Sequence, residues 1–307
     1  MSTKPPRPDT AFYGYIPTES TCIIFVALFS ISTIVHAGQA TKHRLWWLFP
    51  TAIFGGLLEM AGWGSRLWSS LSVRDKNPFE IQLITTLCGP TPLAAANFTM
   101  LGAIIIRLGA QFSRVGPKKY TAIFLSSDIF SLFVQGIGGG IAAHAVTTGK
   151  SAQLGQHIML TGIVLQLVTI VGYILCAAEF LYRYFHARPL AKYVHERLPP
   201  PLNTPLTRRM KLLLLGMALN MLFLLIRAIY RVVELSDGFR GRIARTEVYF
   251  TVLDGAMIVL AIFSFNFAHP GPLMYNAPPA GEALEMQMRS GRPADSGKFG
   301  VVASVGG

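Results

Sequence analysis

Glu59 and Arg66 stand seven residues apart in the stretch GLLEMAGWGSRLW, residues 56–68. Seven residues is nearly two helical turns, so both charges share one face of a helix. Asp128 and Gln135 repeat that spacing in SSDIFSLFVQGIGGG, and Asn220, Arg227, Arg231 and Glu234 follow at steps of seven, four and three. Asn97 and Asp254 stand in two further apolar runs. Groups of these kinds can hold the polar head of an amphiphile. Glu59, Asp128 or Asp254 could meet an amine, and Arg66, Arg227 or Arg231 a phosphate or a porphyrin propionate. They can instead pair across helices and lock them together. The candidate binding set is Glu59, Arg66, Asn97, Asp128, Gln135, Arg227, Arg231 and Asp254. His36, His144, His157 and His269 show no i, i+4 pair, so no metal site or other cofactor is expected from spacing.

The elements that must position these residues are membrane helices. The chain has 307 residues, 51% hydrophobic and only 14% charged, where a soluble domain carries about a quarter charged residues. Its apolar runs reach about 20 residues, the length that crosses a hydrocarbon core. The fold class is therefore all-α, a polytopic seven-helix bundle. The expected spans are residues 17–36, 45–70, 80–107, 120–146, 156–182, 208–233 and 246–268. Residues 1–12 form an N-terminal tail, 13–271 the membrane domain, and 272–307 a Gly-, Pro- and Ala-rich tail expected to be disordered. The first apolar run is too long for a cleaved signal and should be retained. Prolines in HERLPPPLNTP argue against a continuous helix in the longest connector.

A net charge of +12 is not a nucleic-acid signal here, because these cations flank membrane spans. Sixteen Lys and Arg gather on the side of the odd-numbered loops and C-terminal tail, against eight on the other side. That bias puts the N-terminus outside and the C-terminus in the cytoplasm. No nucleic-acid partner is expected. Cys22, Cys88 and Cys176 lie within spans and read as small buried hydrophobes rather than a disulfide.

A charged residue inside the bilayer must face the bundle interior. On this orientation Arg66, Arg227, Arg231 and Asp254 fall in the outer half, Glu59, Asn97 and Gln135 near the middle, and Asp128 in the inner half. The expectation is a polar cavity biased toward the outside. Pro90 and Pro92 remove backbone donors from the third span, which neighbouring groups must then compensate. The GIGGG run, residues 136–140, lacks the strand of a phosphate loop and reads as close helix packing or local unwinding. The Asn97-Phe98-Thr99 sequon lies inside a span, out of a glycosyltransferase's reach.

The ordered blocks GLLEMAGWGSR, GPTPLAAANFTMLG, SSDIFSLFVQGIGGG, RAIYRVVELSDGFRG and TEVYFTVLDGAMIVLAIFSFNFAHPG resemble the fungal lipid-translocating exporter family, often called RTA-like. The resemblance spans roughly residues 13–271. It implies a seven-span protein tied to resistance against aminocholesterol and other amphiphilic toxins. Some members are linked to release of sphingoid long-chain bases and one branch to porphyrin or haem traffic. Matching family positions are Glu59, Gly62, Arg66, Asp128, Gln135, Gly138, Gly139, Arg227, Tyr230, Arg231, Glu234, Glu247, Asp254, His269 and Pro270. The third block departs from the family, with Phe98 and Ala103 where a Tyr and an Arg are usual. The expected function is a plasma-membrane translocase, not an enzyme, for a sphingoid base, sterol-like amphiphile or phospholipid, without direct ATP drive. The alternatives are a lipid receptor signalling to a cytosolic partner, a porphyrin transporter, or an intramembrane lipid enzyme.

Overall fold

The computed structural model describes residues 13–73, 75–148, 150–190, 207–238 and 241–271. Both expected tails, 1–12 and 272–307, lie outside the described residues, as does the proline-rich part of the longest connector.

Among the described residues, seven helical rods follow one another. The first is α1 (Glu19–Lys42). The second enters through a 3-10 turn (Trp46–Leu48) and a π turn (Phe49–Ile53) before α2 (Phe54–Leu71). The third is α3 (Asn77–Cys88) and α4 (Pro90–Leu108), joined at Gly89. Then come α5 (Pro117–Thr147), α6 (Gln153–Phe185) and α7 (Arg208–Asp237). The seventh rod is α8 (Glu247–Phe250), a π turn (Thr251–Ala256) and α9 (Met257–Phe267). Among the described residues, six rods are long and apolar enough to cross a membrane by length and composition. The second is not among them, because Glu59, Arg66 and its Gly and Ser residues lower the hydropathy of its α-helical part. The chain is a multi-pass membrane protein.

Each rod packs on its sequence neighbours, and α9 returns to α1 to close the ring. The helix α4 also touches α2, α6, α7 and α9, so it runs through the middle. Its composition explains this place. It is apolar on all sides, as a fully surrounded helix must be, and Ala94, Ala95 and Ala96 keep its waist narrow. Ile23, Ile34, Phe130, Phe133, Val168 and Leu175 point outward, as lipid-facing side chains do.

Glycines set the closest approaches. A Cβ at Gly138 would overlap the backbone of Met159, and one at Gly155 the backbone of Ala142, so α5 and α6 meet backbone to backbone. Gly136, Gly139 and Gly140 face open space. The GIGGG run is thus continuous helix in which Gly138 makes the close packing; the alternative of local unwinding is not what forms.

Candidate functional site

Asp254 sits in the π turn of the seventh rod. A π turn inserts one residue into a helix and re-aims the side chains around it. Next to it, Gly255 lets the rod close on Trp63 and Phe25, whose rings stack with centroids 4.0 Å apart. Asp254 thereby faces α7, where Arg227 and Arg231 lie one turn apart. Its Oδ1 lies 2.7 Å from Arg231 Nε and 2.8 Å from Arg227 Nε. Arg231 Nη1 also donates to Glu234 Oε2 at 3.0 Å, and Tyr230 donates to the other oxygen of Glu234. Arg227 Nη2 donates to the carbonyl of Thr86 at 2.6 Å. That carbonyl lies four residues before Pro90, which has no N–H to give it. The guanidinium of a neighbouring helix thus supplies the compensation that the proline demands.

Glu59 lies beside this cluster, within electrostatic reach of Arg227, Arg231 and Asp254. Its carboxyl presses on Gly89 at the joint of the third rod, where any side chain would collide with it. It is 1% exposed, and neither oxygen has a hydrogen-bond partner among the described residues.

Arg66 forms a second cluster two turns along α2. Its guanidinium carbon lies 4.5 Å from the Phe250 ring centroid, 4.9 Å from Tyr13, 5.4 Å from Tyr15 and 5.7 Å from Trp63. It donates to Tyr15 Oη and sits 3.6 Å from Glu247, which also accepts from the Thr18 amide and hydroxyl. Burial pushes the phenol of Tyr13 up to about 12, and that of Tyr15 up as well, with Arg66 opposing in both cases. Both phenols therefore stay protonated. Phe250 also lies 5.2 Å from Arg231, so one ring bridges the two clusters by cation–π contact. Glu59 and Arg66 share a helix face but do not pair.

The remaining candidates lie elsewhere. Asn97 donates to Asn220 at 2.6 Å, and Asn220 to the Ala261 carbonyl at 2.6 Å, tying α4, α7 and α9 together. Gln135 reaches Gln166, which donates to Thr91. Asp128 is wholly buried, with no partner for either oxygen among the described residues. The structure therefore brings Glu59, Arg227, Arg231 and Asp254 together, and joins Arg66 to them through Phe250. It leaves Asn97, Gln135 and Asp128 in separate places. Around Asp254 the polar groups pack directly on one another, where the sequence suggested a polar cavity. A concavity of about 500 Å³ opens instead on the apolar face of α5, lined by Ile129, Leu132, Phe133, Gly136 and Ile137. Tyr13, Tyr15, Trp63 and Phe250 were not legible as site residues, because aromatics are common throughout such a chain.

Formal charges in the paired groups cancel. Arg227 and Arg231 balance Asp254 and Glu234, and Arg66 balances Glu247. Among the buried acids of the described residues, Glu59 and Asp128 are left over, and only Glu59 adjoins the cluster.

The family model of the RTA1-like proteins matches residues 52–277. The chain belongs to the RTA1-like family. It is 27% identical over 291 residues to the sphingoid long-chain base transporter RSB1 of Saccharomyces cerevisiae, covering 86% of this chain and 74% of that one. Protein RTA1 of the same yeast is 27% identical over 284 residues, covering 84% of each chain. A lipid-translocating exporter-like protein RTA1 of Leptosphaeria maculans is 25% identical over 287 residues, covering 85% of this chain and 51% of its own. No solved structure matches. The eight candidate residues all lie inside the matched region of this RTA1-like chain.

Proposed function

We propose that this protein transports amphiphilic lipids across the plasma membrane, with its N-terminus outside, and that its substrate is a sphingoid long-chain base bound through its amine at Glu59. The observation that carries this reading is the charge balance. Every other acidic group in the cluster has its own guanidinium, so Glu59 is the one place beside it where a cation is wanted. A charge buried without a counter-charge costs several kcal/mol, and either a proton or an ammonium supplies the missing positive charge. A long-chain base brings that ammonium on a chain suited to the apolar helix faces. The Arg66 and Arg227–Asp254–Arg231 clusters hold α2, α7 and the seventh rod in place around the carboxyl. The yeast relative's description as a sphingoid long-chain base transporter supports the same class of substrate.

Flux of a fluorescent sphingoid base into proteoliposomes tests this. Wild-type protein should exceed empty liposomes, and Glu59→Gln should lose at least about tenfold, the effect of removing one charge-assisted contact of 1.4 kcal/mol or more. An N-acylated analogue without the amine should move no faster than in empty liposomes. Equal flux through wild type and Glu59→Gln, with the fold intact, refutes the assignment.

A further inference from the structure

A second polar region runs along the interface of α1 and α9, away from the ion pairs. Ser32, Thr33, His36, Gln39 and His43 lie on one side of α1, and Asn266 and His269 at the end of the seventh rod. Asn266 donates to Ser32 through its side-chain amide, and Gln39 donates to the Asn266 carbonyl at 3.1 Å. Five buried polar atoms here have no partner among the described residues: Thr33 Oγ1, His36 Nδ1, Gln39 Oε1, Asn266 Oδ1 and His269 Nε2. Buried polar atoms in folded proteins nearly always bond to protein or ordered water, so a row of bare ones marks a hydrated path.

The hydrogen bonds assign both imidazole tautomers. His36 Nε2 lies 3.1 Å from the Ile262 carbonyl, so it carries the hydrogen and Nδ1 is a bare acceptor. His269 Nδ1 accepts from the Gly271 amide at 3.2 Å, so Nε2 carries the hydrogen and is a bare donor. The ring centroids are 6.2 Å apart, too far for the rings to touch and near enough for water to link a bare donor to a bare acceptor. His43 lies 5.7 Å from His269, centroid to centroid, and is half-buried at the bundle end. At the other end, Thr33 Oγ1 presses on Gly56, one turn of α2 from Glu59, whose two oxygens are also bare.

We infer that this seam conducts protons between the bundle end at His43 and Glu59, so that lipid-base movement is coupled to proton movement in the opposite direction. The inference rests on the transport reading above, in which proton and ammonium alternate on Glu59. A proton that displaces the Gly271 amide from His269 Nδ1 releases the Nε2 proton to the intervening water. The water passes one of its own to His36 Nδ1, the charged His36 gives that proton up to the next water of the path, and water carries it past the Thr33 hydroxyl, which takes one proton as it releases its own, to the Glu59 carboxylate. Only N–H and O–H bonds break and form, and no electrons change hands. His269 regains its first tautomer by exchanging ring protons with water. The titratable and charged groups facing the seam are His43 and His269 at one end, and Glu59 with Asp254, Arg227 and Arg231 at the other.

Two readouts test the seam. In a chain lacking its native cysteines, His36→Cys should react with a small water-soluble thiol reagent, while Ile104→Cys, fully buried on α4 among apolar side chains, should stay protected. Equal protection at both positions overturns the hydrated path. In proteoliposomes, a pH gradient of one unit should drive roughly tenfold accumulation of the base per proton exchanged. His269→Phe should abolish that accumulation and keep gradient-free exchange. Flux that ignores the gradient overturns the coupling and leaves the transport reading standing. If the wild type moves no lipid at all, the transport reading fails with the coupling, and thiol reactivity still decides whether the path is wet. Equal loss of both kinds of flux in His269→Phe means a structural role and overturns the relay.

Discussion

Replacing Asp254 with Asn tests the ion-pair cluster most directly. The change keeps the shape of the side chain and removes the charge between two guanidiniums held 2.7 and 2.8 Å from one carboxylate oxygen. Arg231 keeps Glu234 at 3.0 Å, so it is not abandoned. Arg227 keeps only the neutral Thr86 carbonyl and the field of nearby Glu59. One buried cation is therefore left without a contacting counter-charge, which costs about 3–5 kcal/mol when a buried pair is broken. The nearby Glu59 places the expected loss toward the lower end of that range. The single change Arg227→Met leaves Asp254 paired with Arg231 and strips the Thr86 carbonyl of its donor, a loss of about 1–3 kcal/mol. In the double variant no guanidinium is stranded, so its stability should match Arg227→Met rather than the sum of the two losses. Unfolding free energies from SDS titration in mixed micelles, followed by helicity, supply all four corners of the cycle. Additive losses, or a loss below about 1 kcal/mol for Asp254→Asn, would refute this account of the cluster.

Two further outcomes follow from the geometry. Gly138→Ala drives a Cβ into the Met159 backbone and should cost about 1–3 kcal/mol in the same titration, whereas Gly136→Ala faces open space and should stay within about 0.5 kcal/mol of wild type. The contrast between the two is the test, since their helix propensities are alike. His269 lies beyond the last span, and burial, reinforced by His36 and His43, pushes its imidazole down from 6.5 to about 3. The native state then binds fewer protons than the unfolded chain once the pH drops below 6.5. Stability should be full above 6.5 and fall as the pH drops toward 3, with a slope of at most about 1.4 kcal/mol per pH unit. Melting curves of the solubilised protein at pH 7 and pH 5 should show this loss, and His269→Gln should flatten it.

The seven rods were legible because the bilayer imposes a length on apolar sequence, and the expected spans differ from the helices by about a turn or less at most ends and by nearly two turns where α1 runs on to Lys42. The shared face of Arg227 and Arg231 was legible too, from helical periodicity. Who meets whom was not. Glu59 and Arg66 share a face but stand about 10 Å apart along the helix axis, so they address different neighbours. Arg66 goes to the aromatics and Glu247, and Glu59 to the joint at Gly89. The π turn at Thr251–Ala256 leaves no mark in the sequence, yet it aims Asp254 at α7. Pro90 announced that a carbonyl needed a donor, but the donor came from a residue 141 positions from Thr86 in the chain.

Those pairings are what support the proposal that Glu59 meets the head group. Read from sequence alone, arginines and acids in one bundle favour no substrate, because either sign of head group could find a partner. Once Arg227 and Arg231 are assigned to Asp254 and Glu234, and Arg66 to Glu247, the basic groups of the cluster are spoken for. A phosphate or propionate arriving there would have to displace a carboxylate from its guanidinium and leave that carboxylate buried and unpaired. An ammonium arriving at Glu59 displaces only a proton. The difference between breaking a buried ion pair and completing one is several kcal/mol, and it favours a cationic amphiphile over an anionic one.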